Sequence, residues 1–246
     1  MTEKKTVPAE KSLALMEKIE VLAGASGESR RALLKESRLL SLKKNRTVFS
    51  EGDSLEAVYF VAEGFAVLYR MTHSHDKKAI FVCAEGEMLN AEALMEPVSV
   101  VSCRVLSARA QILAIRRSAF LEIMRRDRDL YDAVFFSVAK KLRRTYRQLG
   151  NTAGGVHLDR QIAARLYKLG RDHGIPSDDG KGLTVAFPLS ITFLAELVGS
   201  RRETVSRVIR DMTRQGLVRA DRKGFWIAGL DQIQRYIYEE KIGKEA

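Results

Sequence analysis

The segment from Ile191 to Arg210, I-T-F-L-A-E-L-V-G-S-R-R-E-T-V-S-R-V-I-R, constrains this chain more than any other. Apolar residues recur at Leu194, Val198, Val205 and Val208, with small Ala195 on the first turn of the pattern and Gly199 in its middle. Two short helices that cross closely need this layout, because Ala195 lets the backbones approach and Gly199 can take a positive φ at the turn. The pattern predicts a helix-turn-helix whose second helix runs from about Arg201 to Gln215 and carries Arg201, Arg202, Arg207, Arg210 and Arg214. Its first turns expose Arg202, Glu203, Ser206 and Arg207, types suited to base reading: arginine is bidentate to guanine, and a carboxylate accepts from cytosine N4. Glu203 is the informative member, since a carboxylate is repelled by phosphates unless it meets a base-edge donor. The bland alternative is a solvated helix laced by Arg/Glu pairs at i, i+4. The helix-turn-helix spacing disfavours it. Arg201 and Arg210 are expected to contact phosphate. After Gly216, the runs Leu217 to Ala220 and Phe225 to Ala228 read as a hairpin whose basic tip, Arg222 and Lys223, would grip phosphate as a wing. A last helix carries Leu230, Ile233, Tyr236 and Ile237.

Charge agrees with a polyanionic partner. The 246 residues include 42 Lys+Arg against 31 Asp+Glu, a formal net charge of +11, which favours nucleic acid ahead of an acidic membrane. At this length two packed units are expected. Two cysteines, Cys83 and Cys103, with no CxxC spacing exclude a four-cysteine iron–sulfur cluster or a zinc finger within one chain. Both lie in strand-like segments and are expected to be buried, inert thiols. The polar start, MTEKKTVPAE, shows no secretory signal and no run reaches a membrane span, so a cytoplasmic protein without membrane contact is expected. No GxSxG, HExxH or P-loop pattern occurs, and no catalytic or metal-binding residue is assigned. His73 and His75, beside Asp76, are read as exposed turn residues before they are read as metal or haem ligands.

Ahead of the motif, Leu13, Leu15, Met16 and Ile19 suggest one short helix, and Ser26 before Leu33 and Leu34 starts another. From Thr47 to about Ile115 the texture is short Val/Phe/Tyr/Ile runs between turn residues, without helices of crossover length, which predicts a β-sandwich or β-roll. Leu130, Val134, Val138, Leu142, Tyr146 and Leu149 then mark one long helix, ended by Gly150, Asn151, Gly154 and Gly155 as a hinge. The stripe is either packed on the helix's own domain or a coiled-coil dimer seam; the charged flanks Lys140, Lys141, Arg143, Arg144 and Arg147 favour the seam. His157 to Leu169 reads as a helix, and Gly174 to Gly182 as a loop.

With these features together, the chain resembles the Crp/Fnr family of bacterial regulators. VGSRRETVSRVI at Val198 to Ile209 carries the resemblance most strongly, followed by VFSEGDSLEAVYFVAEG at Val48 to Gly64 and LGN at Leu149 to Asn151. The resemblance implies an α+β fold: an N-terminal β-roll of the cyclic-nucleotide-binding, jelly-roll type, a long dimerisation helix and a C-terminal winged helix-turn-helix. Residues 1–127 would form the effector-sensing domain, 128–155 the dimer helix and hinge, and 156–246 the DNA-binding domain. It implies a homodimer on an inverted repeat of double-stranded DNA, controlled by a small effector, with RNA polymerase as a further partner. The alternative is a ligand-binding module acting on a protein partner. By resemblance, Arg202, Glu203 and Arg207 fall at base-reading positions and Thr204 at a phosphate-contacting one. Arg202 is like the branch that reads TGTGA and Ser206 like the branch that reads TTGAT, which leaves the half-site open.

The resemblance also places an effector pocket at Asn90, Ala91, Glu92, Val100, Val101, Thr145 and Tyr146. Nucleotide-binding members hold the ribose with a Gly-Glu pair, where this chain has Asn90 and Ala91 with Glu92 one step on, and the cyclic phosphate with an Arg-Ser pair, where it has Val100 and Val101. A phosphate facing two valines would be buried without a partner, at several kcal/mol. Cyclic AMP is therefore disfavoured, and a haem, an apolar metabolite or no ligand is expected.

Overall fold

The computed structural model describes residues 9–73, 75–150, 157–177, 180–221 and 224–238. It divides into two compact units, Met1–Met71 with Ile80–Gln148, and Thr72–Ala79 with Leu149–Ala246. In the first, helices α1 (Ala9–Glu17), α2 (Glu20–Ala23) and α3 (Gly27–Lys35) precede two sheets. One sheet is ordered β1 (Ser37–Lys43), β7 (Arg109–Arg116), β3 (Ala57–Glu63). The other is ordered β2 (Thr47–Phe49), β6 (Ser102–Val105), β4 (Ala66–Met71), β5 (Lys77–Cys83).

The middle of this roll follows from the two-residue period of a strand. On β3, Ala57, Tyr59 and Val61 face a core shared with Leu68, Cys83 and Cys103 of the second sheet, while Val58, Phe60 and Ala62 face a core made with the helices. Both faces being covered, β3 reads as an unbroken apolar run. Phe60 meets Phe120 of α4 (Arg117–Arg126) with ring centroids 5.8 Å apart. β3 turns towards β4 at Gly64, φ 87°, where a Cβ would stand 2.7 Å from both the Arg109 carbonyl oxygen and Ser107 Oγ, so only glycine fits.

α5 (Arg128–Gly150) is the long helix. Asp127 starts it, accepting the Leu130 amide at 2.9 Å, and its second oxygen accepts the amide of Ser26, the N-cap of α3, also at 2.9 Å. The expected six-residue stripe does not lie on one face. Leu130 (0% exposed) and Val134 (5%) belong to the helix-side core of the roll, whereas Val138 (40%), Leu142 (48%), Tyr146 (64%) and Leu149 (61%) are exposed. Each step of four residues turns about 40° further round a helix of about 100° per residue, so Leu130 and Tyr146 end about 160° apart. The outward apolar face is instead Tyr131, Phe135, Val138, Leu142, Thr145 and Leu149, spaced 4, 3, 4, 3, 4. Leu130 and Val134 are thus corrected from seam to core.

The second unit packs α6 (Leu158–His173), α7 (Ile191–Val198), α8 (Arg202–Arg214) and α9 (Leu230–Tyr238) with a sheet ordered β10 (Val218–Asp221), β11 (Gly224–Ala228), β9 (Gly182–Val185), β8 (Gly174–Pro176). β1, β8 and β9 lie outside the strands expected from the sequence. Tyr236 of α9 donates to Asp159 of α6 at 3.0 Å, and the Arg160 guanidinium lies 4.8 Å from the Tyr236 ring centroid. This contact pushes the Tyr236 phenol up to about 12, through burial first and then the Asp159 hydrogen bond and charge. No helix among the described residues is long and apolar enough to cross a membrane.

Candidate nucleic-acid interface

α7 is capped at both ends by local chemistry. Ser190 Oγ accepts the Phe193 amide at 3.1 Å. At the other end Gly199 has φ 69°, and its amide and that of Ser200 both donate to the Ala195 carbonyl, at 2.8 and 3.1 Å. A left-handed residue ends the helix and turns the chain sharply into α8. Leu194, Ala195 and Leu197 are buried on α7, and Val205, Ile209 and Met212 on α8.

Those three buried residues fix which way the rest of α8 faces. At about 100° per residue, Glu203, Arg207, Arg210 and Arg214 fall within about 50° of the direction opposite the core. Arg201, Arg202, Glu203, Arg207 and Arg210 are exposed, and Ser206 and Thr204 are half-buried on opposite flanks. Arg214 is tied to Asp211, Nη1 to Oδ1 at 3.1 Å, inside its own helix. By contrast Glu203 forms no ion pair with Arg207, one turn on, and none with any other described residue. The side chains of Arg201, Arg202, Arg207 and Arg210 likewise make no hydrogen bond or ion pair among the described residues. No side chain caps α8, so its first-turn amides and the positive end of its dipole are available to an anion.

The wing is the hairpin β10–β11, with Asp221 opposite Gly224. Arg222 and Lys223, its expected phosphate contacts, lie outside the described residues. One feature was not singled out from the sequence: Arg219 stacks on Trp226, guanidinium to ring centroid 4.4 Å, across the register pair of the two strands. Trp226 Nε1 in turn donates to Ser177 Oγ at 3.3 Å. The signal was the single tryptophan of the chain facing an arginine at hairpin spacing.

The expected effector residues are not gathered round a vacant site. Asn90 is fully buried and bridges to β3, its Oδ1 accepting the Tyr59 amide at 2.8 Å and its Nδ2 donating to the Ala57 carbonyl at 2.9 Å. Ala91 and Glu92 open a short 3-10 turn, Ala91–Leu94, and Glu92 Oε1 is buried without a hydrogen-bond partner. Val100 is 57% exposed, Val101 packs against the inter-sheet core, and Tyr146 is at the surface. Thr145 Oγ1 donates to the Lys141 carbonyl of its own helix at 3.0 Å. Asn90, Val100 and Tyr146 are therefore corrected from pocket lining to a structural bridge and two surface residues.

The cations of α5 nearest this region are also engaged. Lys141 Nζ donates to the carbonyls of Met88 and Leu89 at 3.1 and 3.3 Å, and Arg144 pairs with Glu87 and donates to the Val82 carbonyl. Gln148 Nε2 reaches the Ile80 carbonyl at 3.2 Å. Burial pushes the Cys83 thiol up to about 12, against a smaller opposing pull from Lys141, and raises Cys103 in the same way. Neither is a thiolate at neutral pH. His73 and His75 are exposed, and His75, φ 61°, closes the β4–β5 turn. No cluster of three metal-ligating side chains occurs among the described residues.

Residues 39–127 match the cyclic nucleotide-binding domain family and residues 160–236 the Crp-like helix-turn-helix domain family. The CRP-like cAMP-activated global transcriptional regulator of Mycobacterium tuberculosis is 21% identical over 87% of this chain and 95% of its own. The cyclic AMP receptor protein of Thermus thermophilus is 26% identical over 72% of this chain and 77% of its own. Among solved structures, the c-di-GMP responsive global regulator CLP of Xanthomonas campestris superposes with a TM-score of 0.71, covering 83% of this chain and 100% of that one, at 20% identity. At this identity the structural likeness concerns the fold.

Proposed function

The chain belongs to the Crp/Fnr family of transcription regulators, with a DNA-binding helix-turn-helix, and from that premise we propose how it reads DNA and what does not control it. Two copies pair along the outward face of α5, and the two α8 helices enter successive major grooves of an inverted repeat. The observation that carries this is the unpaired Glu203 beside unpaired Arg207 and Arg210 on the side of α8 turned away from the core, with unpaired Arg201 and Arg202 exposed at its start. A helix evolved only to be solvated would gain about 0.2–0.5 kcal/mol by closing the Glu203–Arg207 pair. Left open, Arg202, Glu203, Ser206 and Arg207 are disposed for base edges, and Arg201, Thr204 and Arg210 for phosphates, with Arg222 and Lys223 assigned to phosphates from the sequence. The working division is sensing by residues 1–127, dimerisation by 128–155 and DNA binding by 156–246. The protein acts in the cytoplasm, and RNA polymerase is its further partner.

The effector is not a cyclic nucleotide. Two relatives are named for cyclic AMP, yet of the positions the resemblance assigns to ribose and phosphate, Asn90 is bonded into the roll, Val100 is at the surface and Val101 is apolar, with Glu92 Oε1 the one buried polar atom left open. Arg144 is paired with Glu87, and Lys141 Nζ is already directed at the Met88 and Leu89 carbonyls, so a buried phosphate would have to displace these contacts. Selection of bound sequences from random DNA tests the DNA reading: an inverted repeat with half-sites about 34–36 Å apart is expected. Enrichment without any repeat would overturn it. Calorimetry with cyclic AMP and cyclic GMP tests the effector reading, for which no micromolar binding is expected.

A further inference from the structure

A cleft of about 590 Å³ opens on the first unit, where the end of α3 and start of β1 meet the segment entering β3 and the junction of β7 with α4. It lies apart from the residues assigned to an effector by resemblance, none of which lines it. Four cations, Lys35, Arg38, Arg116 and Arg117, line it against two carboxylates, Glu36 and Glu56. Glu36 is neutralised by Arg116, whose Nε lies 2.7 Å from its Oε2 and which holds its carboxyl below the usual range. Arg117 donates to the Ala93 and Met95 carbonyls, which leaves its positive charge without a carboxylate to offset it. Glu56 forms no ion pair among the described residues. Lys35, Arg38 and Arg117 therefore stand against Glu56 alone, a surplus of two positive charges.

The rest of the cleft suits one kind of anion. Its volume is in the usual range of about 300–1,000 Å³ for small-molecule sites. The Ser118 hydroxyl lines it in the first turn of α4, which no side chain caps, and buried Leu55 and Ala57 give it an apolar wall. We propose that this cleft binds a small phosphomonoester: two surplus positive charges meet a dianionic phosphate, and the apolar wall receives a short carbon body. This goes beyond the DNA reading and does not depend on it.

The test uses the full chain without DNA, titrated at low ionic strength with inorganic phosphate and with glycerol 3-phosphate, read by phosphorus NMR and calorimetry. One saturable site per chain is expected, with glycerol 3-phosphate bound at least as tightly as phosphate. Arg38→Met, an exposed position that the fold does not need, should weaken binding about tenfold, as should Lys35→Met, while Glu56→Gln should tighten it by a few-fold. Lys43→Met, at the far end of β1 and outside the cleft, should change nothing. Absence of saturation up to about 10 mM would overturn the proposal. So would equal weakening by Arg38→Met and Lys43→Met, which is diffuse surface charge.

Discussion

The polar groups around the expected effector site and those on the outer face of α8 differ in how far they already have partners. In the roll, Asn90 is bonded to β3, Lys141 to two carbonyls and Arg144 to Glu87. On α8, Glu203 and four arginines are exposed, with no side-chain partner among the described residues. A polar group that the fold has already satisfied stabilises architecture, whereas a charged group left open on a rigid element is available to something else. The resemblance treats both regions as binding sites. The second is open throughout, whereas in the first most of these groups are already bonded and Glu92 Oε1 is left open.

The contrast can be broken first on α5, where an apolar face is open in the same way. Val138→Glu would place a charge in the proposed dimer seam and weaken association by about 3–5 kcal/mol, the cost of an unpaired buried charge. Sedimentation should show monomers, with Leu130 and Val134 still packed in the roll. A persistent dimer would move the interface elsewhere.

Asn90→Ala sharpens the other side. It strands a buried amide and a buried carbonyl of β3, which should cost about 2–4 kcal/mol of first-unit stability in denaturant unfolding, with the selected DNA motif unchanged. If stability held while small-molecule binding changed, Asn90 would be a ligand contact after all.

A smaller effect is expected at Asp127. Burial works to raise its carboxyl, but the Ser29 hydroxyl, the Leu130 and Ser26 amides and the Ser26 hydroxyl outweigh it and hold it well below the usual carboxylate range. A carboxylate lowered on folding stabilises the protein fully above its unfolded value of about 3.9, and that contribution is lost as pH falls through the folded value. Asp127→Ala should therefore cost about 0.5–2 kcal/mol at neutral pH, with the gap to wild type narrowing below about pH 4. A pH-independent gap would show that the charge is irrelevant.

Much of this contrast was readable along the chain, and the unread parts share a cause. Val58 to Val61 and Gly64 announced a strand and a turn because both signals are local. The helix-turn-helix was equally local, from Ile191 to Arg210. The α5 stripe misled because spacing by four looks linear in sequence and winds on a helix. Asn90 was assigned by alignment, and nothing nearby told that its amide reaches Tyr59 and Ala57, more than thirty residues upstream. β1 was missed for the same reason, since its partner strand begins at Arg109 and pairs Lys43 with it. Arg219 on Trp226 needed the hairpin register to be visible.

The most direct test of the central contrast is a competition series on the selected operator, with each base pair of one half-site substituted in turn, for wild type, Glu203→Ala and Arg210→Ala. Unsatisfied groups on α8 that read bases predict that Glu203→Ala loses about 1–3 kcal/mol of discrimination at one position and leaves the others unchanged. Arg210→Ala should weaken all sequences alike and lower the salt slope by about one. If Glu203→Ala kept the wild-type preference at every position, or weakened all sites equally, its carboxylate would not be reading a base and the account of α8 would be wrong.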